Sequence, residues 1–209
     1  MPHVRSVNLG MPRKAEWAGI GHTSIDKRPV SGPVEVHALG LAGDQVSDTR
    51  NHGGLDKAVY ALAREDLDFW EGELGRPIRD GQFGENLTTC GLDVNEAEVG
   101  ERWRIGTALV EVASVRIPCN DFKGWQRLNG YDARAWVKRF AVVGRPGPYL
   151  RVVQEGLLAA GDPIAVVHRP GHGVTVSTMF RALTSDRALL SELLKVDGLT
   201  DEARETAER

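Results

Sequence analysis

Up to about residue 167 the chain is built of short segments in which apolar residues alternate with polar ones or run together, each closed by Gly, Pro or Asp. Val4–Leu9, Val34–Val36, Arg102–Ile105, Ala108–Val115, Tyr149–Val153 and Pro163–Val167 carry this pattern, which predicts strands of one sheet folded on itself as a β-barrel. Two stretches follow the helical period instead. Glu65–Leu74 sets Leu67, Trp70 and Leu74 on one stripe behind an acidic first turn, and Asp132–Phe140 does the same with Ala133, Trp136, Val137 and Phe140. Both are expected to pack on the outside of the barrel. Beyond the turn-rich run Arg169-Pro170-Gly171-His172-Gly173, the segments Val176–Leu183, Ser185–Leu194 and Thr200–Ala207 read as three short helices, with Ser185 and Thr200 as N-caps. The expected organisation is a mainly β domain over residues 1–168 and a small C-terminal helical module over residues 174–209.

Composition narrows the class. A chain of 209 residues can bury one sizeable core with a small appendage. Apolar residues at 41% and charged residues at 26% are those of a soluble globular protein, and no run approaches the roughly 20 apolar residues of a membrane span. A formal charge of −3 argues against a general nucleic-acid binder. The start, Met1-Pro2-His3-Val4-Arg5, lacks the features of an export signal, so a cytoplasmic location and no membrane partner are expected. Cys90 and Cys119 are too few for a disulfide framework or a cysteine-based zinc site.

Three segments hold residues that a fold alone does not require. Gly40–Tyr60 is polar and glycine-rich yet runs straight into the apolar Ala58–Ala63; within it His52, Asp56 and Lys57 bring a titratable base, a carboxylate and a cation beside Gly53-Gly54. This suits a catalytic or cofactor loop, and equally a turn whose polar side chains hold its own backbone. Gly81–Leu87 offers Glu85 and Asn86, either as ligand contacts or as buried braces. In Val115–Lys123, Pro118 ends the longest strand, and Arg116 and Lys123 place positive charge near Cys119, which favours its thiolate as nucleophile or soft metal ligand. A small buried thiol is the alternative. Lys14, Lys27 and Arg28, with Ser31 and Gly32, form either a phosphate-receiving loop or a solvated one, and no Walker or Gly-x-Gly-x-x-Gly pattern is present.

In order along the chain, Pro29-Val30-Ser31-Gly32-Pro33, Gly40-Leu41-Ala42-Gly43-Asp44, His52–Val59, Phe83-Gly84-Glu85-Asn86-Leu87, Arg116-Ile117-Pro118-Cys119 and Tyr149–Gly156 resemble the MOSC family, named for the C-terminal part of molybdenum cofactor sulfurase. The likeness is nearest to its YiiM-type branch, associated with resistance to hydroxylaminopurine, and Thr184–Leu194 resembles the three-helix module of that branch. It implies a MOSC-type β-barrel carrying molybdopterin-bound molybdenum, with Cys119 as the protein ligand to the metal. It implies an oxidoreductase that reduces N-hydroxylated bases or related N-oxygenated compounds with electrons from a separate redox protein; apart from the resemblance, a monomer or homodimer is expected. His52 with Asp56 would supply protons, and Lys27, Ser31, Lys57, Asn86, Arg116 and Arg151 would hold the anionic cofactor. The chain departs from the family at Asn120-Asp121-Phe122, where relatives carry a basic-apolar run, and at Val143–Pro148. A sulfur carrier with a persulfide on Cys119 needs the same thiol without the pterin, and a phosphate-binding module without chemistry needs neither.

Overall fold

The computed structural model describes residues 1–209. In chain order the elements are β1 (His3–Leu9), β2 (Arg13–Lys14), β3 (His22–Thr23), β4 (Arg28–Val30), β5 (Val34–His37), β6 (Gly40–Leu41), α1 (Thr49–His52), β7 (Val59–Ala63), α2 (Arg64–Leu74) and β8 (Leu87–Cys90). They continue as β9 (Arg102–Ile105), β10 (Ala108–Val115), α3 (Asn120–Leu128), α4 (Trp136–Val143), β11 (Pro148–Gln154), β12 (Gly156–Leu158), β13 (Ile164–His168), α5 (Val176–Thr184), α6 (Leu190–Leu193) and α7 (Asp201–Ala207). No helix is long and apolar enough to cross a membrane.

The main sheet runs β13-β9-β10-β11-β7-β8-β1-β4. Every residue of β7 is buried, because this strand lies between β11 and β8, which explains why it reads as an apolar run while β9 alternates. The expected barrel does not close as a continuous ladder. One edge of β1 pairs with β8 and the other with β4 through Val7–Leu9, which leaves only its first residues free. These meet the approach to β13, with Val4 N–H donating to Asp162 O at 2.9 Å and Ile164 N–H to Pro2 O at 3.0 Å. The sheet curls, aided by bulges in the β10–β11 and β1–β8 pairings, but β4 and β13 remain edges.

Helix boundaries differ from the pattern in two places. The helix expected over 132–140 begins at Trp136, because Asp132 folds back on the backbone N–H of Arg134 and Ala135 adopts φ 47°. Ser185 ends α5 rather than starting a helix, and Asp186 caps the 3-10 turn Arg187–Leu189 that leads into α6. Thr200 caps α7 as expected. The residue pattern gave no sign of α3.

Trp70, Phe83, Phe122, Trp136 and Phe140 pack ring on ring beneath α3 and α4, and Phe180 of α5 sits edge-on to Phe140 at 6.2 Å. A single cluster of 43 buried residues runs through the sheet and into the C-terminal helices, so residues 1–168 and 174–209 share one core. Phe140 touches both parts. Truncating it to alanine is expected to lower unfolding stability by about 3–5 kcal/mol, read as the shift of a urea transition. A loss below about 1 kcal/mol would show that the rings are not packed as described.

Candidate functional site

Site geometry starts where β10 leaves the sheet. Pro118 has no N–H to continue the ladder, and Cys119 becomes the N-cap of α3, its Sγ accepting from the Phe122 N–H at 3.4 Å. The half-buried sulfur opens on a pocket. One wall is the β3–β4 segment with His22, Ser24 and Lys27; another is the loop after β6 with Ser47, Asp48 and His52; the floor holds Tyr60, Asn86, Arg116 and Tyr149.

Arg116 dominates the electrostatics. It is only 4% exposed, and its Nη1 donates to Phe83 O at 2.7 Å. Its guanidinium lies 4.0 Å from the ring centre of Phe122 and 5.2 Å from that of Tyr60. Its Nε, although buried, has no hydrogen-bond partner. No carboxylate pairs with it. A buried cation with no carboxylate partner thus lines the pocket, where it can attract an anionic group.

His52 ends the short helix α1 and meets Tyr149 Oη through Nδ1 at 3.3 Å. Burial, then the positive charges of Arg116 and Lys57, push its pKa down to about 4 against the opposing pull of Asp48 and Asp121. His52 is therefore neutral at neutral pH. Tyr149 stays protonated, its pKa raised by burial, and its ring lies 5.3 Å from that of Tyr60 across the β7–β11 pair.

Other polar residues frame the pocket. The Lys27 ammonium donates to both oxygens of Asp44 at 2.5 and 2.6 Å, and burial lowers its pKa despite that carboxylate. Asp44 also accepts from Asn86 Nδ2 at 2.9 Å, while Asn86 Oδ1 takes the Tyr60 N–H at 3.2 Å. Lys27 and Asn86 thus line the pocket as a braced frame. Glu85, fully buried, accepts from the N–H groups of Gly81 and Phe83 and from Thr88 Oγ1, which holds the turn whose Phe83 carbonyl receives Arg116; burial pushes its pKa up to about 7. Gly81 has φ 78°, and a Cβ there would stand 2.6 Å from Lys27 O, so this turn admits no other residue without movement. Lys57 reaches Asn51 O at 3.1 Å and Glu202 of α7 at 2.9 Å.

The structure thus gathers Cys119, His52, Lys57, Arg116, Lys27 and Asn86 around one pocket. It places three expected residues elsewhere. Asp56 and Arg151 pair with each other at 2.6 Å beside the pocket, with Arg151 also bound to Glu111, and Ser31 is exposed in the turn between β4 and β5. Tyr60 and Tyr149 were not singled out from sequence. Their signal is chemical: two of the chain's 3 tyrosines stand in otherwise apolar strand segments, where a hydroxyl needs a partner. Cys90 lies at the end of β8 against Glu65, outside the pocket.

Comparison with known proteins agrees with this geometry. The MOSC domain family matches residues 48–165. The chain is 32% identical over 194 residues to the uncharacterized protein YflK of Bacillus subtilis, covering 92% of this chain and 86% of that one. It is 31% identical over 169 residues to a protein named Reductase from Gibberella moniliformis, covering 78% of this chain but only 29% of that longer protein. The crystal structure of YiiM from Geobacillus stearothermophilus superposes with a TM-score of 0.80 at 29% identity, over 100% of this chain and 98% of that one. Fold, ordered motifs and pocket together make this chain a member of the MOSC domain family, in its YiiM-type branch.

Proposed function

We propose that the pocket holds molybdopterin-bound molybdenum with Cys119 as the protein ligand, and that the protein reduces N-hydroxylated bases or related N-oxygenated compounds. The observation that carries this reading is the pairing of a pocket-facing thiol at a helix N-terminus with the buried, uncompensated Arg116. The donor set fits the group. No cluster of three or more His, Cys, Asp or Glu side chains could hold a metal ion unaided, so a metal at Cys119 would need most of its ligands from an organic chelator. Arg116 and Lys57 supply positive charge for an anionic cofactor.

When bound, the cofactor supplies the electron pair that cleaves an N–O bond, drawn from a separate redox protein. The chain's own residues handle position and protons. Reduction of N–OH to N–H consumes protons and releases water, so the pocket needs a donor. With Tyr149 Oη donating to His52 Nδ1, the neutral imidazole presents Nε2–H to hold a water or the substrate oxygen, and the protons consumed come from solvent through that water. Neutral His52 also avoids adding another buried cation beside Arg116. Asp56, tied to Arg151, steadies the 3-10 turn Leu55–Lys57 that carries Lys57.

The direct test is molybdenum content after purification from a host that makes the cofactor. Wild type is expected to hold the metal and Cys119→Ser to lose most of it; equal contents, or none in either, would contradict ligation. Arg116→Met is expected to stay folded but to retain pterin at least about tenfold more weakly, since hydrogen bonds to charged groups are worth about 1.5–3 kcal/mol; unchanged pterin fluorescence after release would contradict an anion role.

The His52 ring is expected to titrate near 4 by NMR. Between that value and the unperturbed value of about 6.5 the unfolded chain binds more protons than the folded one, so this residue makes stability fall as pH drops through that window and has no effect above it. The difference between wild type and His52→Asn isolates this slope, because Glu85 and Asp66 titrate in both proteins. A difference that does not vary with pH there would show that His52 is not buried as described.

A further inference from the structure

We infer that Asp121 is a positioning residue: it anchors the β2–β3 hairpin, a wall of the pocket packed against α3, and thereby sets what can reach Cys119. The β2–β3 hairpin is a two-stranded ribbon with two residues in each strand, held by the Arg13–Thr23 and Lys14–His22 pairs and by turn hydrogen bonds such as Ala15 N–H to Gly21 O at 2.9 Å. Ribbons of that size are marginal on their own. This one is fastened to α3. Asp121 Oδ1 accepts from the Gly19 N–H at 2.9 Å, across 102 residues of sequence. The Trp17 ring stacks on Trp125 with centroids 6.2 Å apart, and the Arg13 guanidinium lies 5.0 Å from the centre of the Trp125 ring. Gly124 makes room for the indole: a Cβ there would stand 2.8 Å from Trp17 Cε3.

The far strand of this hairpin and its continuation supply His22, Thr23, Ser24 and Ile25 to the pocket lining. One helix therefore places both the sulfur and this wall: its N-cap is Cys119, and its first two turns hold the hairpin through Asp121 and Trp125. The other Asp121 oxygen has no protein hydrogen-bond partner, and the residue itself lines the pocket, so Asp121→Ala also removes a lining carboxylate that Trp17→Ala leaves in place. A shift of the hairpin would widen access to the sulfur without touching it. The consequence for substrate selection rests on the pocket being the reductase site proposed above; the anchoring does not.

Both parts can be tested on cofactor-free protein in a Cys90→Ser background, where Cys119 is the sole thiol. Asp121→Ala is expected to speed amide exchange at Gly19 and its hairpin neighbours about fivefold, the size of one hydrogen bond. It is also expected to raise the rate of Cys119 labelling by fluorescein maleimide relative to iodoacetamide. Asp121→Asn, which keeps the acceptor oxygen but not the charge, should behave as wild type. Trp17→Ala loosens the same hairpin from its other side and should mimic Asp121→Ala. In turnover assays both loosened variants should alter KM and the preference between small and large substrates more than kcat.

Wild-type exchange and an unchanged labelling ratio in Asp121→Ala would overturn the proposal. So would an Asp121→Asn protein as loose as Asp121→Ala, because the charge rather than the hydrogen bond would then be at work. If Asp121→Ala fails to fold, Trp17→Ala decides, and an unchanged labelling ratio there overturns the proposal. Exchange and labelling need no metal, so their outcome separates the anchoring from the molybdenum reading.

Discussion

The buried guanidinium of Arg116 is the constraint around which the site is arranged. A cation taken out of water has to be repaid by neighbouring charge or hydrogen bonds, and this one has a single carbonyl and two aromatic faces. The Phe83 carbonyl is available because Glu85 pins the turn Gly81–Glu85 from inside, and the Phe122 ring because α3 begins at Cys119. His52 stays neutral, through its burial first and the same charge second. The pocket sets the unpaired Arg116 next to a thiol, with the carboxylates of Asp48 and Asp121 also on its lining, and the fold supports the buried cation with a dense ring cluster directly below it.

The strand-to-helix junction at Arg116–Asn120 links packing to chemistry. β10 is held on both sides by β9 and β11, so the point at which Pro118 releases the chain is fixed by two ladders. From there α3 sets Cys119 at its cap and packs Phe122 into the core and Trp125 against the β2–β3 hairpin. The pocket is thus rigid on the sheet side and depends on a few tertiary contacts on the hairpin side. Lys57 sits between these regimes, since one of its partners is Glu202 on the C-terminal helix α7.

Much of this was legible in the residues. The strands Arg102–Ile105 and Ala108–Val115 follow their patterns to the residue, and the ordered motifs were enough to name the family. What was not legible depends on distant partners. α3 is capped by a cysteine rather than Ser, Thr, Asp or Asn and carries Gly124 inside, so neither its start nor its propensity announces it. The pairing of Asp56 with Arg151 joins residues 95 positions apart, which no local pattern encodes. The open ladder reflects which edge of β1 takes β4, and no local pattern encodes that choice. From its neighbours alone Cys119 read more readily as a small buried thiol, and only the ordered motifs reversed that reading; the fold turns it toward the pocket.

Ligation of molybdenum by Cys119 is tested most directly by X-ray absorption at the molybdenum edge of the cofactor-loaded protein. The pterin brings its own sulfur pair to the metal, and ligation predicts one further sulfur neighbour that disappears from any metal retained by Cys119→Ser. A wild-type metal shell containing pterin sulfur alone would contradict it.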